Sequence, residues 1–102
     1  MISVNSQATL RMIGERLRIA RLARNEPQAR FAVRIGVSVP TLRKLEQGDP
    51  NVAIGTFVDT LWILDRLADL DAVLSPGKSL FDRMEKKAAS NNRKRASKRK
   101  IS

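Results

Sequence analysis

The chain contains no cysteine and no histidine. The first absence excludes disulfides, thiolate nucleophiles and cysteine-ligated metals. The second removes the commonest general base and metal ligand. Tyrosine is missing as well, and one Trp and three Phe are too few for the stacking platform that single-stranded nucleic acid needs. No apolar run approaches the roughly 20 residues needed to cross a bilayer, and no stretch reads as a signal peptide, so a cytoplasmic location is expected. The carboxylates are scattered along the sequence, so neither catalysis nor a metal or cofactor site is expected.

What the chain has in excess is positive charge. Twenty Lys and Arg stand against ten Asp and Glu in 102 residues. The excess is uneven: residues 1–77 hold ten basic and eight acidic side chains, and residues 78–102 hold ten basic and two acidic ones. A near-neutral body joined to a cationic arm implies a polyanionic partner, nucleic acid or an anionic membrane. The arm lacks the aromatic or large apolar face of an interfacial helix, which favours nucleic acid and no membrane. The length suits one compact domain.

Apolar spacing and punctuation predict an all-α fold of five short helices. Residues 1–8 read as a flexible lead, and Thr9 or Ser6 caps a first helix at about 9–24, with Leu10, Ile13, Leu17, Ala20 and Ala23 inward. Gly14 interrupts it, and a close approach by a neighbouring segment would explain that residue. Asn25-Glu26-Pro27 ends the helix, because the residue before a proline is biased away from helical backbone. A second helix at 28–35 turns Ala29, Ala32, Val33 and Ile35 inward and closes at Gly36; Ser38 caps a third at 39–47, with Pro40 in its first turn and Leu42 and Leu45 inward. After the turn Asp49-Pro50-Asn51, a fourth helix at 55–64 carries Phe57, Val58, Leu61, Trp62 and Leu64, a broader apolar surface than a small monomer buries. A fifth is expected at 66–73. Residues 9–74 thus form the domain, 75–89 a linker with a weak helix at 80–89, and 90–102 a basic tail expected to be disordered without a partner.

The informative stretch is QARFAVRIGVSVPTLRKLEQG, residues 28–48. Two short helices joined by a tight apolar turn are the ingredients of a helix-turn-helix, whose second helix enters the major groove of DNA. Ala32 suits the helix crossing, Gly36 the turn, and Val37 and Leu45 the buried positions beside it. The outward side of the second helix offers Ser38, Val39, Pro40, Thr41, Arg43 and Lys44. Arg43 or Lys44 can donate to guanine O6 and N7, and Val39, Pro40 or the Thr41 methyl can meet a thymine methyl. Ser38 and nearby backbone amides can take a phosphate. The plainer reading of Arg43 and Lys44, as solubilising charges on a surface helix, loses ground because of where they stand in this motif.

IGERLRIARLAR (13–24), the segment 28–64 and DRLADLDAV (65–73) together resemble the XRE-type helix-turn-helix domains of phage repressors and bacterial regulators, over about two-thirds of the chain. GDPNVAIGT with LWIL resembles most the HipB-like antitoxins that accompany HipA-like kinase toxins. The resemblance implies a five-helix lambda-repressor-like domain, binding to double-stranded operator DNA, repression of its own operon, and a HipA-like Ser/Thr kinase as partner. A solitary or phage-type repressor is the alternative. It further implies that Gln28 packs against the DNA backbone and braces the recognition helix, and that Arg21 and Glu46 form a partly buried ion pair, two separately solvated charges being the other possibility. Arg30 departs from the pattern, standing where many relatives carry Glu, as do Val39 and Pro40 where polar residues are usual.

A two-fold protein suits half-sites one helical turn apart, so a homodimer is expected, built on the apolar excess of Leu61, Trp62, Leu67 and Leu70 or on a surface from residues 73–89. Trp62 with Phe57 and Leu61 reads as core or dimer packing rather than a ligand box. Leu80, Phe81 and Met84 are apolar enough to fold against a partner or on their own domain. Ser90, Ser97 and Ser102 read as solvated tail residues. Arg93, Lys94, Arg95, Lys98, Arg99 and Lys100 are the expected phosphate contacts of the tail. Deleting residues 90–102 should weaken binding to all duplexes alike and lower the salt slope by about 0.9 for each phosphate the tail neutralises, measured by titrating labelled duplexes at several salt concentrations.

Overall fold

The computed structural model describes residues 2–76. Within them lie α1 (Val4–Ala23), α2 (Gln28–Ile35), α3 (Val39–Glu46), α4 (Ile54–Ile63) and a 3-10 helix, Leu67–Ala72; the described residues contain no strand. They fall into two units, one ending at Leu67 and one beginning at Ala68. No described helix is long and apolar enough to cross a membrane. The weak helix expected at 80–89 and the basic tail with Arg93, Lys94, Arg95, Lys98, Arg99 and Lys100 lie outside the described residues.

All four α-helices among the described residues stop in the same way. At or just after each C-cap the chain takes up left-handed backbone, at Asn25 (φ 56°), Gly36 (φ 82°), Gly48 (φ 79°) and Asp65 (φ 61°). Each end then closes two hydrogen bonds back onto the last turn, as in Asn25 N to Leu22 O (2.9 Å) with Glu26 N to Arg21 O (3.3 Å), and Val37 N to Ala32 O (3.0 Å) with Gly36 N to Val33 O (3.1 Å). This pairing satisfies carbonyls that a helix end leaves without partners. Asn and Asp are the non-glycine residues that tolerate the left-handed region best, so the sequence supplies a stop signal at each of the four ends. α1 stops there, two residues before Pro27.

Its start differs from the sequence expectation. Ser3, not Ser6 or Thr9, is the N-cap, its side chain accepting from Ser6 N. Residues 4–8 of the expected lead are therefore helical, held by that local cap and by a tertiary bond, Gln7 Nε2 donating to Gly48 O at 2.8 Å.

α1 packs on α3, and α2 on both α3 and α4. Phe31, Ala32, Ile35, Leu42, Leu45, Leu61, Leu64 and Leu17 are the buried apolar residues, with Leu42 and Phe31 at 0% and 1% exposure. α2 is rotated relative to the expected face: Phe31 is inside, while Ala29 is exposed and Val33 is 78% exposed. Phe31, Ala32 and Ile35 follow i, i+1, i+4 and still form one helical stripe, with Ile35 between the aromatic and the alanine. In α4, Thr60 is fully buried because its hydroxyl donates to Thr56 O at 2.7 Å, the local bond by which a helical threonine satisfies itself.

Gly14 lies at the crossing of α1 and α3. A Cβ there would stand 2.6 Å from Glu46 O and 2.8 Å from Leu45 O, both backbone atoms. At Gly48 it would stand 2.7 Å from Arg11 Cα. The two glycines let the end of α3 lie directly on α1. Gly14→Ala should therefore lower stability by about 1–3 kcal/mol from overpacking, reversing the ~1 kcal/mol gain a helix otherwise draws from that change. Gly55→Ala, where nothing lies within 4 Å, should be neutral or stabilising. Urea midpoints at unchanged m-value measure both.

Candidate nucleic-acid interface

α3 is held from behind by a buried ion pair. Arg21 of α1 and Glu46 of α3 are 5% and 4% exposed at their side chains. The guanidinium grips the carboxylate with both arms, Nε to Oε2 at 2.7 Å and Nη2 to Oε1 at 3.1 Å. Arg21 Nη1 donates to Glu26 O at 2.8 Å, so the cation is also tied to the segment leading into α2. Two charges this deep persist only when their hydrogen-bonding capacity is met.

Glu46 Oε1 accepts a third bond, from Gln28 Nε2 at 3.2 Å. The other end of that amide, Oε1, accepts from Arg43 Nε at 3.3 Å. A continuous polar chain therefore runs from Arg21 in the interior through Glu46 and Gln28 to Arg43 on the exposed side of α3. Gln28 is half-buried at the start of α2, a helix that no side chain caps. Its first amides are left for water or for an anion.

The expected outward residues of α3 divide into two groups. Ser38, Pro40, Arg43 and Lys44 are exposed; Val39 and Thr41 are half-buried. Ser38 is the N-cap: its hydroxyl accepts from Thr41 N at 3.3 Å and lies 3.0 Å from Thr41 Oγ1. The two hydroxyls therefore hold the start of α3 together. Gln47, exposed at the C-cap of α3, completes a stripe of Pro40, Arg43, Lys44 and Gln47 at i, i+3, i+4, i+7. Sequence reading passed it over, although the spacing alone places it there.

Two further tethers have no signal in the sequence. Arg24 donates to Ile63 O (3.0 Å) and Leu64 O (2.9 Å), closing the C-terminus of α4 onto α1. Glu26, 7% exposed, pairs with Arg34 of α2. Neither pair has a periodic signature; each joins residues that only the fold brings together.

The residues expected at a dimer contact stand apart from α3's outward stripe in the sequence and differ in accessibility. Trp62 is 63% exposed and Leu67 39%, and Leu70 is half-buried in the 3-10 helix. Leu61 is 8% exposed and belongs to the chain's own core, because it falls on the inward side of α4 one residue before Trp62. Ile54, 78% exposed, and half-buried Val58 precede Trp62 at i−8 and i−4 and form the outward stripe of α4.

No protein-family model, curated protein or solved structure matches the chain.

Removing one member of the buried pair leaves the other charge without its partner, which costs about 3–5 kcal/mol. Glu46→Leu and Arg21→Met should each show that loss in denaturant titrations, and the double variant should recover much of it. A double variant no more stable than either single one would mean that the two side chains act independently.

Proposed function

We propose that the chain is a sequence-specific DNA-binding regulator of transcription, in which α2 and α3 form a helix-turn-helix and α3 enters the major groove. The observation that carries this reading is the outward stripe of α3, with Arg43 tethered through Nε to Gln28 and its two Nη groups left over. A guanidinium restrained at Nε is suited to donate in bidentate fashion to guanine O6 and N7. Lys44 lies beside it, and the exposed ring of Pro40 offers an apolar contact for a thymine methyl. The uncapped first turn of α2, with Gln28, supplies amides for a phosphate and so fixes register rather than sequence.

The proposed regulator is a homodimer that closes over the outward stripe of α4, with Trp62 as its anchor. Burying a large exposed aromatic together with Ile54 is the kind of contact that carries interface energy, and pairing doubles a short reading surface to a two-fold one. The resemblance of GDPNVAIGT and LWIL to the HipB-like branch extends the proposal to an antitoxin that represses its own operon and binds a HipA-like Ser/Thr kinase. Co-purification with a kinase-like product of the neighbouring gene, and rescue of its toxicity, test that extension. Binding to its own promoter without any such complex would leave a solitary or phage-type repressor.

The DNA-reading assignment is tested with the chain's own promoter region. Arg43→Ala/Lys44→Ala should reduce affinity tenfold or more, each good bidentate base contact being worth about 1–3 kcal/mol, and should flatten the preference over unrelated duplex. Operator binding by the double variant equal to that of the parent would remove α3 from the role. Trp62→Ala should shift the mass seen by light scattering from dimer towards monomer.

A further inference from the structure

α1 is apolar on two opposite sides. Its inner side buries Gly14, Leu17 and Arg21 and packs on α3. Its outer side leaves Val4 85%, Met12 44%, Ile19 55% and Leu22 46% exposed. Positions 4, 8, 12, 15, 19 and 22 fall within a stripe about 80° wide at helical spacing. From residue 8 the steps alternate between four and three, the repeat by which one helix packs along another. Ala8 and Glu15 complete the stripe, and Glu15 pairs with Arg18 at 3.1 Å. Arg11 and Arg18 flank one side and Arg16 the other, and Arg11 and Arg16 form no ion pair among the described residues. Across its 20 residues α1 therefore presents an apolar seam about 30 Å long between cationic borders.

We propose that this outer face of α1 docks an amphipathic helix of a partner protein whose borders carry Asp and Glu. Charge complementarity selects this occupant. A second copy of α1 would set arginine borders against arginine borders, which is destabilising between neighbouring helices. A bilayer surface calls for a broad face with aromatic anchors, and this seam is narrow, has no aromatic and holds a carboxylate at its middle. The seam lies on the side of α1 opposite its contact with α3, so the docking is independent of DNA reading.

The probe is a labelled synthetic helix of three heptads, with Leu at a and d and Glu at e and g, titrated into the full chain without DNA. Micromolar binding is expected, weakening about tenfold or more in Ile19→Glu and in Met12→Glu, the loss that follows when one buried apolar side chain is withdrawn. Arg11→Glu/Arg16→Glu should weaken it too, and a probe with Lys in place of Glu should bind poorly. Because the substituted side chains are exposed, circular dichroism of all these variants, and duplex binding of Ile19→Glu and Met12→Glu, should match the parent. Absence of probe binding, or binding that is the same in the parent and the seam variants, overturns the proposal. So does an Ile19→Glu chain that turns from dimer to monomer, which gives the seam to a second copy, or one that only loses binding to phosphatidylserine vesicles. A parent that fails to bind duplex DNA would count against the proposed function and leave the peptide titration intact.

Discussion

One charge pair governs the geometry of this small domain. Arg21 and Glu46 are taken out of water together, and two ions in that position must meet face to face at hydrogen-bonding distance. That requirement fixes how closely α3 approaches α1. Gly14 and Gly48 follow from it, because the backbone of α3's last turn then lies where a Cβ on Gly14 would have to go, and the backbone of α1 where one on Gly48 would. Gln28 follows as well, since its amide donates to Oε1 of the same carboxylate, beside Arg21, and leaves its own oxygen for Arg43. Apolar replacements of similar volume could hold α1 against α3 equally well or better. They would not set the orientation of Gln28, and through it the reach of Arg43. The pair is therefore better understood as a register device than as a source of stability.

Which parts of this were legible in the sequence follows from where the information lies. Helix ends were, because Gly36, Gly48 and Ser38 act locally: left-handed backbone and a capping hydroxyl need no partner from elsewhere. The outward stripe of α3 was also legible in large part, since Leu42 and Leu45 mark its inner side by spacing. The face of α2 was misjudged at Ala29, Val33 and Phe31, because apolar residues fall on nearly every side of this helix, Ala29 and Val33 opposite Phe31 and Ile35, and spacing alone does not choose between them. The first turn of α1 was missed because Ser3, Ser6 and Thr9 all offer a local capping hydroxyl, and the bond that favours the earliest start runs from Gln7 to a carbonyl 41 residues away. The tethers of Arg24 and Arg34 are invisible for the same reason: charged residues are placed by tertiary partners, and their sequence neighbours do not say which.

The distribution of the remaining surface has a physical consequence. Among the described residues eight apolar side chains are buried, while Ile54, Trp62, Met12, Ile19 and Leu22 stay at the surface of a body that needs every contact it can make. Small domains bury a low fraction of their apolar surface and have little stability in reserve. Leaving several large apolar residues outside is thus a cost that covering them would reverse, and any partner that binds only the folded form adds stability by mass action. The outer faces of α1 and α4 have this apolar character. The outward stripe of α3 does not, being made of Pro40, Arg43, Lys44 and Gln47.

That segregation bears on how the three faces can be used together. A polar, cationic reading face gains affinity from phosphates at long range and loses it as salt rises. Apolar faces gain theirs on contact and are far less sensitive to salt. Because α1 contacts α3 through its inner side alone, a protein covering its outer seam leaves Arg43 and Lys44 accessible. On these contacts, occupation of the α1 seam and reading by α3 use separate faces of the body and do not compete for the same side chains.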